Sequence, residues 1–129
     1  MILAQAMTDD EKQQEIEARI EELAISFSEK LPVRIDEIRQ FFNDQISVDN
    51  YNVEGLLEIH QLVHALAGTA GTFGYKKIYQ YSRDLETTIN EIIRTSPNFI
   101  DDAYIKSIRD KITLIDDTIS KLTSKKSPL

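Results

Sequence analysis

Apolar residues return every three or four positions along nearly the whole of this chain, and that period fits helices and little else. The clearest run is the last, Tyr104, Ile108, Ile112, Ile115, Ile119 and Leu122, which keeps a near-heptad spacing. Residues so spaced share one face of a helix, whereas a half-buried strand needs alternation with period two. The same period recurs at Ile16, Ile20, Leu23 and Phe27, at Leu31, Ile35, Ile38, Phe42 and Ile46, and at Ile78, Leu85, Ile89 and Ile92. No stretch alternates convincingly with period two. Pro32 suits the first turn of a helix, and Asn52 offers a side-chain cap to a helix beginning at Val53. Breaks fall at residues 47–50 (SVDN), 71–74 (GTFG) and 95–98 (TSPN), all rich in turn formers. The pattern predicts an all-α fold, an up-down antiparallel four-helix bundle with an additional N-terminal helix. It predicts a single domain over residues 1–129, with a core at about 15–122 and frayed ends.

Composition narrows the partners. A chain of 129 residues with 41% hydrophobic side chains can bury roughly two-thirds of its unfolded surface and is not composed like a disordered segment. The net charge of −7 argues against nucleic acid or an anionic membrane as the main partner. There is no cysteine, hence no disulfide framework and no thiolate metal site. The N-terminal MILAQAMTDDEK turns acidic too soon for a signal peptide. The absence of cysteine fits a reducing compartment, and the expectation is a cytoplasmic protein; a monomer is expected as well.

Within this acidic chain, Ile59 to Tyr75 holds no Asp, Glu, Lys or Arg, yet it carries both histidines and three of the four glycines. It is short for a membrane span and too polar for one. On a helix at 100° per residue, Gly55, Ile59, Leu62, Leu66, Ala70 and Phe73 fall within about 80° of one another and are the expected core stripe. His60, His64, Ala67 and Gly71 fall on the far side, roughly 140–200° from Leu62. A solvated face ordinarily carries Glu, Lys and Gln; this one carries two imidazoles among small residues. Gly68 and Gly71 each cost a helix about 1 kcal/mol relative to Ala, so close approach of a partner, or of another helix, has to offset them. His60 and His64, at i and i+4, could share a metal, but HExxH is absent and no other His or Cys exists, so no metal site is expected. Gly-x-Ser-x-Gly is missing too, and GTAGTFG lacks the Lys-Ser/Thr ending of a phosphate loop. The residues alone leave open a boundary histidine without chemistry, tight helix packing, or a docking face.

The segment VHALAGTAGTFGYKKIYQYSRDLE (63–86) resembles the signature of histidine phosphotransfer (HPt) domains of phosphorelays. That pattern has a His, a Leu two residues on, Lys-Gly at three and four, small residues, a Gly at ten, and Leu-Glu at twenty-one and twenty-two. His64, Leu66, Gly68, Ala70, Gly74, Leu85 and Glu86 fall on it, FSEKLPVRIDEIRQFF (27–42) resembles the preceding helix, and the likeness covers about residues 15–122. The resemblance implies a phosphorelay intermediate that accepts a phosphoryl group on His64 from a receiver's phospho-Asp and passes it to another receiver. It implies Glu86 as the partner that orients the imidazole, and a docking face of His60, Ala67, Gly68, Gly71, Lys76 and Lys77. The partners implied are receiver domains of response regulators or hybrid histidine kinases. Any Mg²⁺ belongs to the receiver; no cofactor is expected on this chain, and no stand-alone enzyme activity. One position departs: the family usually has Lys where this chain has Ala67. Lys76 and Lys77 are candidates to supply that charge, and a lysine placed at 67 would be expected to reach the phosphoryl group. The alternatives are a non-phosphorylated adaptor on the same scaffold, in which His64 is inert, or a plain helical interaction module.

Overall fold

The structure, a computed structural model, describes residues 7–124. Four helices make up the described residues: α1 (Asp9–Gln45), α2 (Val53–Thr72), α3 (Lys76–Thr95) and α4 (Asp102–Ser124). The expected fraying concerns ends that, apart from Met7, Thr123 and Ser124, lie outside the described residues. By internal contacts the chain divides into two compact units, Met1–Lys30 and Leu31–Leu129.

In the first unit the expected N-terminal helix exists, but it does not end before the next one. α1 runs on through Pro32. Ser28 stands where a cap for a new helix would be needed, yet its hydroxyl donates back to the carbonyl of Ile25 at 2.9 Å. That back-bond is a mid-helix habit of serine, and without a cap or a glycine nothing stops the helix. Proline in a helix interior costs about 3 kcal/mol. The start of α1 is well furnished: the Thr8 hydroxyl accepts from the Glu11 amide at 3.1 Å, and Asp9, Asp10 and Glu11 face the positive end of the dipole.

The second unit holds the core, built from Leu31, Ile35, Ile38 and Phe42 of α1, Ile46 just past its end, and the inward stripes of α2, α3 and α4. Strand-like structure is absent from the described residues, and neighbouring helices run antiparallel. Arg39 pairs with Asp116 while Arg109 lies over Phe42, so numbers climb on α1 as they fall on α4. On α2 and α3, His64 meets Glu86 and Gly71 meets Tyr79 in the same opposed order. Lys111 of α4 reaches Asp84 of α3 at 2.7 Å.

Two junctions place the site. Asn52 caps α2, its Oδ1 accepting from the Gly55 amide at 2.7 Å. At the other end Gly74 takes φ +78°. The Tyr75 amide then bonds the Ala70 carbonyl at 2.9 Å, and the Gly74 amide bonds that of Gly71 at 3.4 Å. This is a Schellman closure, and glycine serves it because a Cβ is strained at positive φ. The resulting three-residue link folds α3 straight back along α2.

The core face of α2 differs from the expected stripe. Leu56, Ile59, Val63, Leu66, Ala67 and Ala70 are buried, whereas Gly55, Leu62 and Phe73 are only half-buried. On the helical wheel this turns the buried face by roughly 50° from the expected one. The cause is α3: its small buried Ser82 lies close to the level of Ala67, between the His64–Glu86 and Gly71–Tyr79 contacts, where the two helices close up.

Candidate functional site

His64 projects from the flank of α2, its side chain 67% exposed. On the corrected wheel it stands about 110° from the centre of the buried face, which explains that exposure. Its ring stacks on that of His60 one turn earlier, with centroids 6.1 Å apart and planes within 9°. Nδ1 lies 2.9 Å from Oε2 of Glu86. A carboxylate only accepts, so the imidazole must donate from Nδ1, and Nε2 keeps its lone pair in the neutral ring. Nε2 has no hydrogen-bond partner among the described residues.

Glu86 belongs to the core side of α3, with 7% of its side chain exposed. A carboxylate so placed needs partners, and it has two: His64 on Oε2 and Arg83, whose guanidinium donates to Oε1 at 2.6 Å. The hairpin sets this geometry. His64 lies nine residues before Phe73 and Glu86 eleven after Tyr75, roughly 14 and 16 Å from the turn, so the two meet across the helices at nearly one level.

The residues expected around His64 do not all gather there. His60 stacks on it, half-buried, with its own Nε2 buried and unpartnered. Gly68, one turn on, is exposed, and a Cβ there would meet nothing within 4 Å. Ala67, expected on the exposed face, is instead 2% exposed in the α2–α3 seam. Gly71 is exposed too, but a Cβ on it would stand 3.1 Å from the ring of Tyr79. Its small size serves helix packing. Lys76 and Lys77 are exposed but lie ten and nine residues before Glu86, roughly 15 and 13 Å along α3, beyond the reach of a lysine to His64. Lys76 borders a shallow depression shared with Gly68, Gly71 and Tyr79. Groups of three or more His, Asp or Glu able to hold a metal ion are absent among the described residues.

The model of the Hpt domain matches residues 13–118, well over half of the chain. The chain belongs to the Hpt-domain family. Membership bears out the likeness carried by residues 63–86 and agrees with the helical architecture. It involves the protein in two-component phosphorelay signalling as a phosphotransfer module, whose fold is not that of a catalytic enzyme. Hpt domains interact with receiver domains. Comparison with the curated proteins and with the solved structures gives no match. None of the described helices is long and apolar enough to cross a membrane.

Two residues of this Hpt domain escaped the reading of its sequence. Arg83 holds Glu86, and its signal was the Arg–Glu spacing of i and i+3 on one helix. Tyr79 covers Gly71, which no local pattern announces.

Proposed function

We propose that this Hpt domain is a phosphorelay intermediate in which Nε2 of His64 takes a phosphoryl group from the phospho-Asp of one receiver and yields it to the Asp of another. The observation that carries this reading is the exposed imidazole whose Nδ1 is tied to a buried carboxylate. In the forward step the Nε2 lone pair attacks phosphorus, a P–N bond forms, and the P–O bond to aspartate breaks with its electron pair leaving on the carboxylate. No proton has to be removed from Nε2, because the Glu86 contact holds the proton on Nδ1. The ring gains positive character as the bond forms, and the Glu86 carboxylate stabilises it. Phosphoryl transfer is largely positioning and charge neutralisation, and on this reading the divalent cation and the acidic centre belong to the receiver.

Arg83 takes the place of the missing cation at position 67. It stands on α3 at the level of Ala67, half-exposed, and shares Glu86 with His64. We read it as a positioning residue for Glu86 and as the cation nearest the incoming phosphoryl group. The docking face then consists of His60, His64 and the open surface over Gly68, with Lys76 and Lys77 at its rim.

The test is incubation with a panel of phosphorylated receivers. Wild type should acquire an acid-labile phosphoryl group and His64→Gln should not, with helix content unchanged. His60→Gln should still accept. Receiver binding without labelling of His64 by any receiver would instead favour the adaptor reading.

A further inference from the structure

The first unit carries an apolar face that its described residues leave uncovered. Ile16, Ile20 and Leu23 are 52%, 53% and 57% exposed, and they step by four and three. Three large aliphatic side chains in one row on a charged helix are the seam pattern of a coiled coil. With Gln13, Ile20 and Phe27 at a, Ile16 and Leu23 fall at d. Ile20 at a beside Leu23 at d is the pairing that favours two strands, Ile16 at d departs from it, and the polar Gln13 at a fixes register at some cost in stability.

The charges choose the occupant and its direction. Lys12 and Arg19 occupy g, while Asp10 and Glu17 occupy e. In a parallel pair a g residue meets the e residue of the following heptad, so Lys12 faces Glu17 of the second copy, and the symmetry makes this contact twice. An antiparallel pair would set g against g and e against e, cation on cation and anion on anion. Of the remaining acids, Glu11, Glu21, Glu22 and Glu29 fall at f, b and c, away from the seam, while Asp9 falls at d where the seam begins. An open depression lined by Lys12, Glu15, Ile16, Arg19 and Ile20 runs along one flank of this row. We propose that residues 9–27 of α1 form a parallel two-stranded coiled coil with a second copy of this chain, so that the assembly carries two copies of His64. The sequence led us to expect a monomer. The face revises that expectation because its side chains are apolar, aligned and flanked by complementary charge. The seam is short, so association is weak and concentration-dependent. The helix is already formed as part of α1, which lowers the ordering cost of association.

Sedimentation equilibrium tests this on the full chain. The mass should climb with concentration from 14.8 kDa toward twice that value. Ile20→Asp should hold it at the single-chain mass, with unchanged circular dichroism and unchanged phosphoryl acceptance. Lys12→Glu should weaken association, and adding Glu17→Lys should restore it, because the swap preserves the g-to-e pairing. The chain has no cysteine of its own, so Ile20→Cys should oxidise to a cross-linked dimer while Glu21→Cys, at b, should not. A mass fixed at one chain up to millimolar concentration would overturn the proposal and leave the face to a different protein. A trimeric mass, or a double charge swap that fails to restore association, would overturn it as well.

Discussion

Gly68→Ala separates the needs of the fold from those of the site. Gly68 lies inside α2 and is exposed, and a methyl group there meets no atom within 4 Å. Alanine is favoured over glycine in a helix interior by about 1 kcal/mol, and no clash subtracts from it. The domain should therefore gain about 1 kcal/mol, or roughly 3–5 °C in melting temperature for a chain of this size. Gly71→Ala is the control. Its methyl would press on Tyr79 at 3.1 Å, so the same helical gain is offset and the net change should be near zero. Gly68 is one turn from His64 on the surface proposed to receive a receiver domain, so the stabilised variant should accept phosphoryl groups more slowly. Thermal unfolding and the rate of transfer from one phosphorylated receiver measure the two effects on the same samples. Higher stability with unimpaired transfer would show that docking does not use the surface over Gly68. Lower stability would show that the α2 backbone is not as described.

Four further outcomes follow from the same geometry. Leu66, 4% exposed, should cost about 2–5 kcal/mol as Leu66→Ala in urea denaturation. Ala67→Lys should destabilise by about 1–3 kcal/mol, because the buried seam must open for the long stem, so it should not speed transfer. Glu86→Leu removes the acceptor for Nδ1–H and should slow transfer about 10- to 100-fold, the worth of a charge-assisted hydrogen bond, while Glu86→Gln, which keeps an acceptor, should lose less. Arg83→Gln should slow transfer with little change in stability, since Arg83 is half-exposed, and Arg83→Lys should recover part of the rate.

The helices could be read from the sequence because their signals are local and repeated. The Ile ladder of α4, the Asn52 cap and the glycine that closes α2 each state their own structure. The rotation of α2 could not be read in this way. Its apolar residues nearly encircle it, from Leu56 and Leu57 through Leu62 and Val63, and a wheel drawn on one helix has no unique inward direction. Only α3 decides, by lying along the His64 and Gly71 side of α2, away from Leu62. For the same reason Ala67 was misplaced on the open face, and the ring of Tyr79 beside Gly71 was not foreseen. Pro32 misled in the other direction, since a residue common at helix starts also survives in an interior when no cap competes. Glu86 was found through its spacing from His64 in a family pattern. Burial of a glutamate opposite a histidine is a tertiary fact, and so is the part played by Arg83.

The central claim is that His64 accepts through Nε2 while Glu86 holds the proton on Nδ1. The most direct measurement is long-range ¹H–¹⁵N correlation on the ¹⁵N-labelled domain before and after phosphorylation by a receiver, in alkaline buffer that preserves phosphohistidine. The account predicts the Nδ1–H tautomer of His64 beforehand and a phosphoryl group on Nε2 of His64 afterwards, with His60 unmodified. A phosphoryl group on Nδ1 of His64, or on His60, would contradict it.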